Sequence, residues 1–169
     1  IIVPDNSELQ DLEDLKGETI TFVSQTSNSG FKAPSAILKS EMGFEPDEDY
    51  DTKFSGRHDN SIMGVYNGDY EVAAIANSVM HRMADNDKID LSEIKTIYKS
   101  DTFPTTAYGH VNNLHPALAQ KVKKAFFTFD WEGTSLADEF DEEKFIPIDY
   151  KTYWEVIRKI DEANEVEYK

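Results

Sequence analysis

Two rhythms of apolar residues run along this chain. Thr19-Ile20-Thr21-Phe22-Val23 alternates and is β-branched, which predicts a strand. Phe31, Ala33, Ile37, Leu38 and Met42 then recur at helical spacing, and Gly43 closes that run. Pro34 fits only a first helical turn, so the helix is expected to start near Gly30 or Phe31. Between strand and helix lies a polar turn of small residues, Ser24-Gln25-Thr26-Ser27-Asn28-Ser29-Gly30. The same strand, loop and helix order returns twice. Thr52-Lys53-Phe54 precedes a helix from His58 that stops at Gly68, and a buried strand over 71–76 precedes a short helix over 77–84. Ile1-Ile2-Val3, residues 94–98 and residues 105–111 read as further strands. Leu9, Leu12 and Leu15 recur every three residues and predict a short helix over 7–15, with Ser7 as N-cap and Gln10 as its capping-box partner. From Pro116 the pattern is helical in three pieces. Ala117, Leu118, Val122, Ala125 and Phe126 form the apolar face of the first; Leu136, Ala137 and Phe140 mark the second; residues 150–160 form the third. Strands alternating with helices predict an α/β architecture with a mostly parallel sheet flanked by helices. The expected organisation is an α/β ligand-binding lobe over 1–112 and a C-terminal helical segment over 113–169.

Composition narrows the functional classes. No window approaches the apolar length of a membrane span. The opening Ile1-Ile2-Val3 reads as a strand entered part-way, so an N-terminal half is expected to precede it. The chain has no cysteine, which removes disulfides, thiolate metal sites and cysteine nucleophiles. Its formal net charge is −16, a field that repels nucleic acid and anionic lipid, so no nucleic-acid partner is expected. A small anion is repelled too at long range, so a site for one must win locally.

The polar turn offers such a site. A helix N-terminus carries backbone N–H groups with no partner in the helix, and the helix dipole adds partial positive charge. Ser27, Asn28 and Ser29 add side-chain donors, Thr26 stands beside them, and Gly30 allows close approach to the backbone. Spacing alone leaves a second reading open, in which Thr26, Ser27 or Ser29 is only a helix N-cap. The turn is not a Walker A loop, because the Gly-Lys-Ser/Thr ending is missing. His58-Asp59 occupies the next loop-to-helix junction. There the histidine can donate to an oxyanion and the carboxylate can fix its tautomer, or Asp59 can simply cap an ordinary helix. Arg57 is a competing cation. Asn77 follows the third strand and either lines the same crevice or caps its helix. No catalytic constellation stands out. His81, His110 and His115 lack metal-site spacing, Ser61 is not in a nucleophile elbow, and the aromatic run 125–131 reads as packing rather than as a cofactor box. Neither a metal nor a cofactor is expected.

These motifs, in order, resemble the phosphonate- and phosphite-type substrate-binding proteins of ABC transporters. Leu12-Glu13-Asp14-Leu15-Lys16-Gly17 precedes the strand as in that family, and Ser27-Asn28-Ser29-Gly30 is similar to its Ser-Thr-Ser-Gly anion loop. Gly56-Arg57-His58-Asp59, Asn67-Gly68-Asp69-Tyr70-Glu71-Val72-Ala73-Ala74 and Phe145-Ile146-Pro147-Ile148-Asp149-Tyr150-Lys151 continue the likeness, as does Trp154-Glu155-Val156-Ile157-Arg158. The resemblance implies one lobe of a type II periplasmic-binding-protein fold plus C-terminal helices. It implies a phosphonate, phosphite or phosphate ligand held by Ser27, Asn28, Ser29 and His58, and a membrane permease as partner. It also implies a periplasmic or extracellular location, with a lipoprotein anchor compatible. Two positions depart from the family pattern. Asn28 stands for the usual threonine and keeps a donor. Ile75-Ala76-Asn77-Ser78 carries no carboxylate where many relatives have an acid suited to a ligand's ammonium, which points away from an amine-bearing ligand. Rival readings are a ligand-sensing domain of a signalling protein, and an enzyme acting on a phosphorylated substrate with His58 as its base.

Overall fold

A computed structural model describes residues 1–100, 107–140 and 144–163. The chain forms two compact units, Ile1–Phe103 with Val156–Lys169, and Pro104–Glu155.

Five strands form one sheet in the first unit: β1 (Ile2–Pro4), β2 (Thr19–Phe22), β3 (Asp51–Phe54), β4 (Val72–Ala73) and β5 (Ile94–Thr96). Their spatial order is β3-β2-β4-β1-β5. β2 pairs in parallel with β3 and β4, and β1 runs antiparallel to β4 and β5. Four strands therefore point one way and β1 alone opposes them. Successive residues of a strand face opposite sides of a sheet, and both sides here are apolar. Val3, Ile20, Phe22 and Val72 join Leu12, Leu15, Leu38 and Tyr50 in one core, while Ile2, Ala73 and Ile94 join Ile62, Val65, Met80 and Met83 in another. Helices thus cover both faces of the inner strands, while edge strand β3 is largely exposed.

The first helix is continuous over 28–42 but not uniform. Regular α1 (Ala33–Ile37) lies between wider i→i+5 turns at Asn28–Lys32 and Leu38–Met42, and Gly43 ends it in the left-handed region at φ 71°. It starts at Asn28, two residues before the expected point, so Pro34 sits in the second turn. Pro34 has no N–H to donate to the carbonyl of Gly30, four residues back. That carbonyl instead accepts the N–H of Val23 at 2.9 Å. The proline is accommodated because the vacated acceptor closes the preceding loop onto its helix. Phe31 packs edge-on against Phe22 at 5.1 Å between ring centres, pinning the helix start to β2. Such a pair contributes about 0.5–1.5 kcal/mol beyond its buried area.

α2 (His58–Tyr66) and α3 (Asn77–Asp85) follow β3 and β4. Residues 7–15 do not form the predicted helix; only Glu13–Leu15 makes a single 3-10 turn. The Asp14 carboxylate accepts the Gln10 amide at 2.7 Å and that of Asp11 accepts the Glu13 amide at 2.9 Å, so side chains replace the helical ladder. Ser7 accepts from the Leu9 amide and the Gln10 side chain donates to the Glu8 carbonyl, so no capping box forms. Leu12 and Leu15 are still buried, so their spacing reports burial rather than helix. Part of the predicted strand 105–111 lies outside the described residues, and residues 107–111 are not in a strand.

The second unit carries α4 (Pro116–Phe127), α5 (Ser135–Phe140) and α6 (Tyr150–Tyr153). Phe126, Trp131 and Phe145 form its aromatic cluster, with ring centres 4.9 Å apart for Phe126–Phe145 and 4.8 Å for Trp131–Phe145. The predicted apolar face of α4 is only partly buried: Ala117, Leu118 and Ala125 are exposed, Val122 and Phe126 are half-buried, and Ala119 is the buried residue of that helix. α7 (Glu155–Ala163) carries Ile157 and Ile160 into the first unit, where buried Asp161 meets Lys32 at 3.2 Å. The helical segment 113–169 is thus shared between the two units.

Candidate functional site

The sheet order gathers the three loop-to-helix junctions. β3, β2 and β4 are neighbours and run in parallel, so Phe54, Phe22 and Ala73 end on one edge of the sheet. Ligands of open α/β sheets collect at such edges. The loops there are bonded to one another. Ser55 and Gly56 donate their amides to the carbonyls of Phe22 and Val23, each at 2.9 Å, and Ala74 donates to Thr21 at 3.0 Å.

The central junction is the turn leading into the first helix. Ser27 is its N-cap in extended conformation, and its hydroxyl oxygen accepts the Gly30 amide at 3.1 Å. Ser27 therefore fills the cap role, and its own hydroxyl proton remains to be donated. Asn28 and Ser29 are half-buried, and their first-turn amides have no acceptor within the helix. Thr26 is exposed, its hydroxyl 3.4 Å from that of Ser24. Gly30 has a different task from the one its type suggests. It is buried, and an added Cβ would lie 2.5 Å from Val23 Cγ2. What approaches its Cα is the neighbouring valine, and its amide is already bonded to Ser27.

His58 opens α2 and is half-buried. Its Nδ1 accepts the Ala76 amide at 3.0 Å. An amide can only donate, so Nδ1 carries no proton, and in the neutral ring the proton sits on Nε2. Burial lowers the His58 pKa, opposed in part by the charge of Asp59. The tautomer is fixed by a backbone amide of another element, not by the Asp59 carboxylate, which lies 3.3 Å from Arg57 Nε. Asp59 and Arg57 offset each other's charge at the rim. Residue-type reasoning missed Ala76 because its contribution is a main-chain N–H.

Asn77 is exposed and is the first residue of α3; Ala76 holds the N-cap position, without a side-chain cap bond. α2 likewise has no side-chain cap bond at Arg57. The structure thus places three helix N-termini on one edge, two of them without side-chain caps. Each carries up to about half a positive charge and unmatched donors. Ser27, Asn28, Ser29, His58 and Asn77 share this edge, and every one of them can donate a hydrogen bond. Such an array suits a compact oxyanion, and its donors remain effective in a chain of net charge −16 because they act at contact distance. Among the described residues, no group of three or more His, Asp or Glu side chains is placed to hold a metal ion.

Known proteins identify the fold and the family. The chain is 27% identical over 129 residues to the phosphate-import protein PhnD of Mycolicibacterium smegmatis, covering 72% of this chain and 40% of that protein. Among solved structures it resembles PhnD1 of Prochlorococcus marinus in complex with methylphosphonate, with a TM-score of 0.79, 21% identity, and coverage of 98% of this chain and 66% of that one. It also resembles the binding-protein component of an ABC phosphonate transporter, PA3383 of Pseudomonas aeruginosa, with a TM-score of 0.74, 19% identity, and coverage of 98% and 57%. At these identities the structural likeness establishes the fold, that of the type II periplasmic binding proteins. The chain spans about two fifths of the curated relative. Residues 1–153 match the model of the family described as ABC transporter, phosphonate, periplasmic substrate-binding protein, and the chain belongs to that family.

Proposed function

We propose that this chain is the oxyanion-binding lobe of a substrate-binding component of an ABC importer, taking phosphonate, phosphite or phosphate. The observation that carries the reading is the convergence of three helix N-termini with the Nε2–H of a neutral His58. The anion's oxygens accept from the amides and side chains of Asn28 and Ser29, from the Ser27 hydroxyl and from His58. Thr26, Asp59 and Asn77 form the rim, and Gly30 packs beneath the loop. Family membership supports a location outside the cytoplasmic membrane, in the periplasm or on the cell surface, and delivery of the ligand to a membrane permease.

The histidine geometry favours capture over catalysis. With Nδ1 bonded to Ala76 and the proton on Nε2, the ring offers the site a donor and no basic lone pair. The neutral Ala76-Asn77 stretch places no carboxylate to meet a ligand ammonium. Isothermal titration of the full-length protein with phosphate, phosphite, methylphosphonate and an aminoalkylphosphonate tests this. Binding of at least one of the first three, more tightly than the amine, is expected. Turnover of a phosphomonoester that is lost in His58→Ala would contradict it.

A further inference from the structure

Ser61 lies on α2 one turn after His58, and its side chain is fully buried. A buried hydroxyl is costly without a partner. Its Oγ lies 2.6 Å from Ser55 Oγ, and Ser55 Oγ lies 2.9 Å from the Arg57 carbonyl. A carbonyl only accepts, so the single Ser55 proton goes to Arg57. The proton between the two serines then comes from Ser61. The result is a directed chain: Ser61 O–H to Ser55 Oγ, and Ser55 O–H to the Arg57 carbonyl. Two further bonds tighten it. The Ser61 amide donates to the same Arg57 carbonyl at 3.1 Å, and the Asn60 side chain donates to the Ser55 carbonyl at 3.0 Å.

The turn at Ser55, Gly56 and Arg57 is also bonded to the exit of β2 through Phe22 and Val23. Helix starts are ordinarily fixed by an N-cap side chain, which occupies a first-turn amide from outside. α2 has no such bond. The serine chain holds its start from the core side instead, leaving the outward amides and the His58 ring to face a ligand.

We propose that Ser61 is a positioning residue for anion binding, acting through His58 by way of Ser55 and the Arg57 carbonyl. The inference rests on the role proposed above for His58. Its test is a double-mutant cycle on binding by the full-length protein. The probe is whichever of inorganic phosphate, phosphite and methylphosphonate binds tightest, titrated well below the melting temperature of every variant. Ser61→Ala is expected to weaken binding about three- to tenfold, the worth of one hydrogen bond. In a His58→Ala background the same substitution is expected to change affinity less than twofold. A Ser61 that only fills the core would produce no such dependence on His58. Ser55→Ala serves as the second variant if Ser61→Ala does not fold, with the same expectation. Unchanged affinity in Ser61→Ala beside weakened binding in His58→Ala would overturn the positioning role alone, as would losses that simply multiply. Unchanged affinity in His58→Ala would overturn the reading of the site and this inference with it.

Discussion

At Gly30 the demand is steric rather than one of ligand approach. A methyl group there meets Val23 Cγ2 at 2.5 Å, against a buried strand end that has little room to move. Gly30→Ala is expected to cost about 1–3 kcal/mol of stability, the usual penalty for overpacking. Val23→Ala should recover part of it, and thermal denaturation of the two single variants and the double variant reads this directly. Ser27→Ala removes the cap bond to Gly30 and is expected to cost about 0.5–2 kcal/mol. His58 gives a pH signature. Burial lowers its folded pKa below the ordinary value of 6.5. Once the pH falls below about 6.5 the unfolded chain binds a proton that folded His58 resists, so unfolding becomes easier as pH drops towards the lowered folded value. The contribution is fully present above that range. Denaturant titrations between pH 8 and pH 5 should show a smaller loss of stability on acidification in His58→Ala than in wild type. An identical pH profile in the two proteins would contradict the burial of a neutral His58 ring.

At the scale of elements, the three strand, loop and helix units were legible because apolar period and turn chemistry agree at each. A strand over Thr19–Phe22 and a helix closed by Gly43 appear as expected, though that helix begins within the polar turn, and α2 runs from His58 to Tyr66 and α3 from Asn77. Elsewhere the local rule competes with another. The leucines of residues 7–15 face the core without forming a helix, because Asp11 and Asp14 bond nearby amides. Pro34 misplaced the start of the first helix because the Val23 amide, not visible in any residue type, takes the acceptor that Pro34 leaves. The proposed site was legible as candidate donors at Ser27, Asn28, Ser29 and His58. The Ala76 amide and the Ser61–Ser55 chain were not, since they depend on which strands are neighbours. Pro34→Ala offers a test of the first point. A restored N–H at position 34 competes for the Gly30 carbonyl, so the Val23 amide is expected to exchange with deuterium faster while the helix itself holds. Unchanged exchange at Val23 would mean that the proline has no part in closing the loop.

For the whole molecule, the α/β unit presents one chemically coherent edge, and its position follows from sheet order alone. With β3, β2 and β4 adjacent, the junctions at Ser27, His58 and Asn77 must meet even though 50 residues separate the first from the last. The structural relatives are longer than the stretch this chain matches, and the chain spans 66% of the methylphosphonate-bound one. An anion buried between two lobes gains contacts from both, with closure coupled to binding. On the proposed reading, a second lobe would add contacts to the anion, so a chain carrying one is expected to bind phosphate, phosphite and methylphosphonate far more tightly than residues 1–169 alone. Amide chemical shifts report the location of the anion residue by residue. In the full-length protein titrated with methylphosphonate and with phosphate, the largest shifts are expected at Asn28, Ser29, His58 and Asn77, with the His58 Nε2–H moving as it gains an acceptor. Saturable binding that leaves these four amides unmoved and shifts another part of the chain would contradict the account.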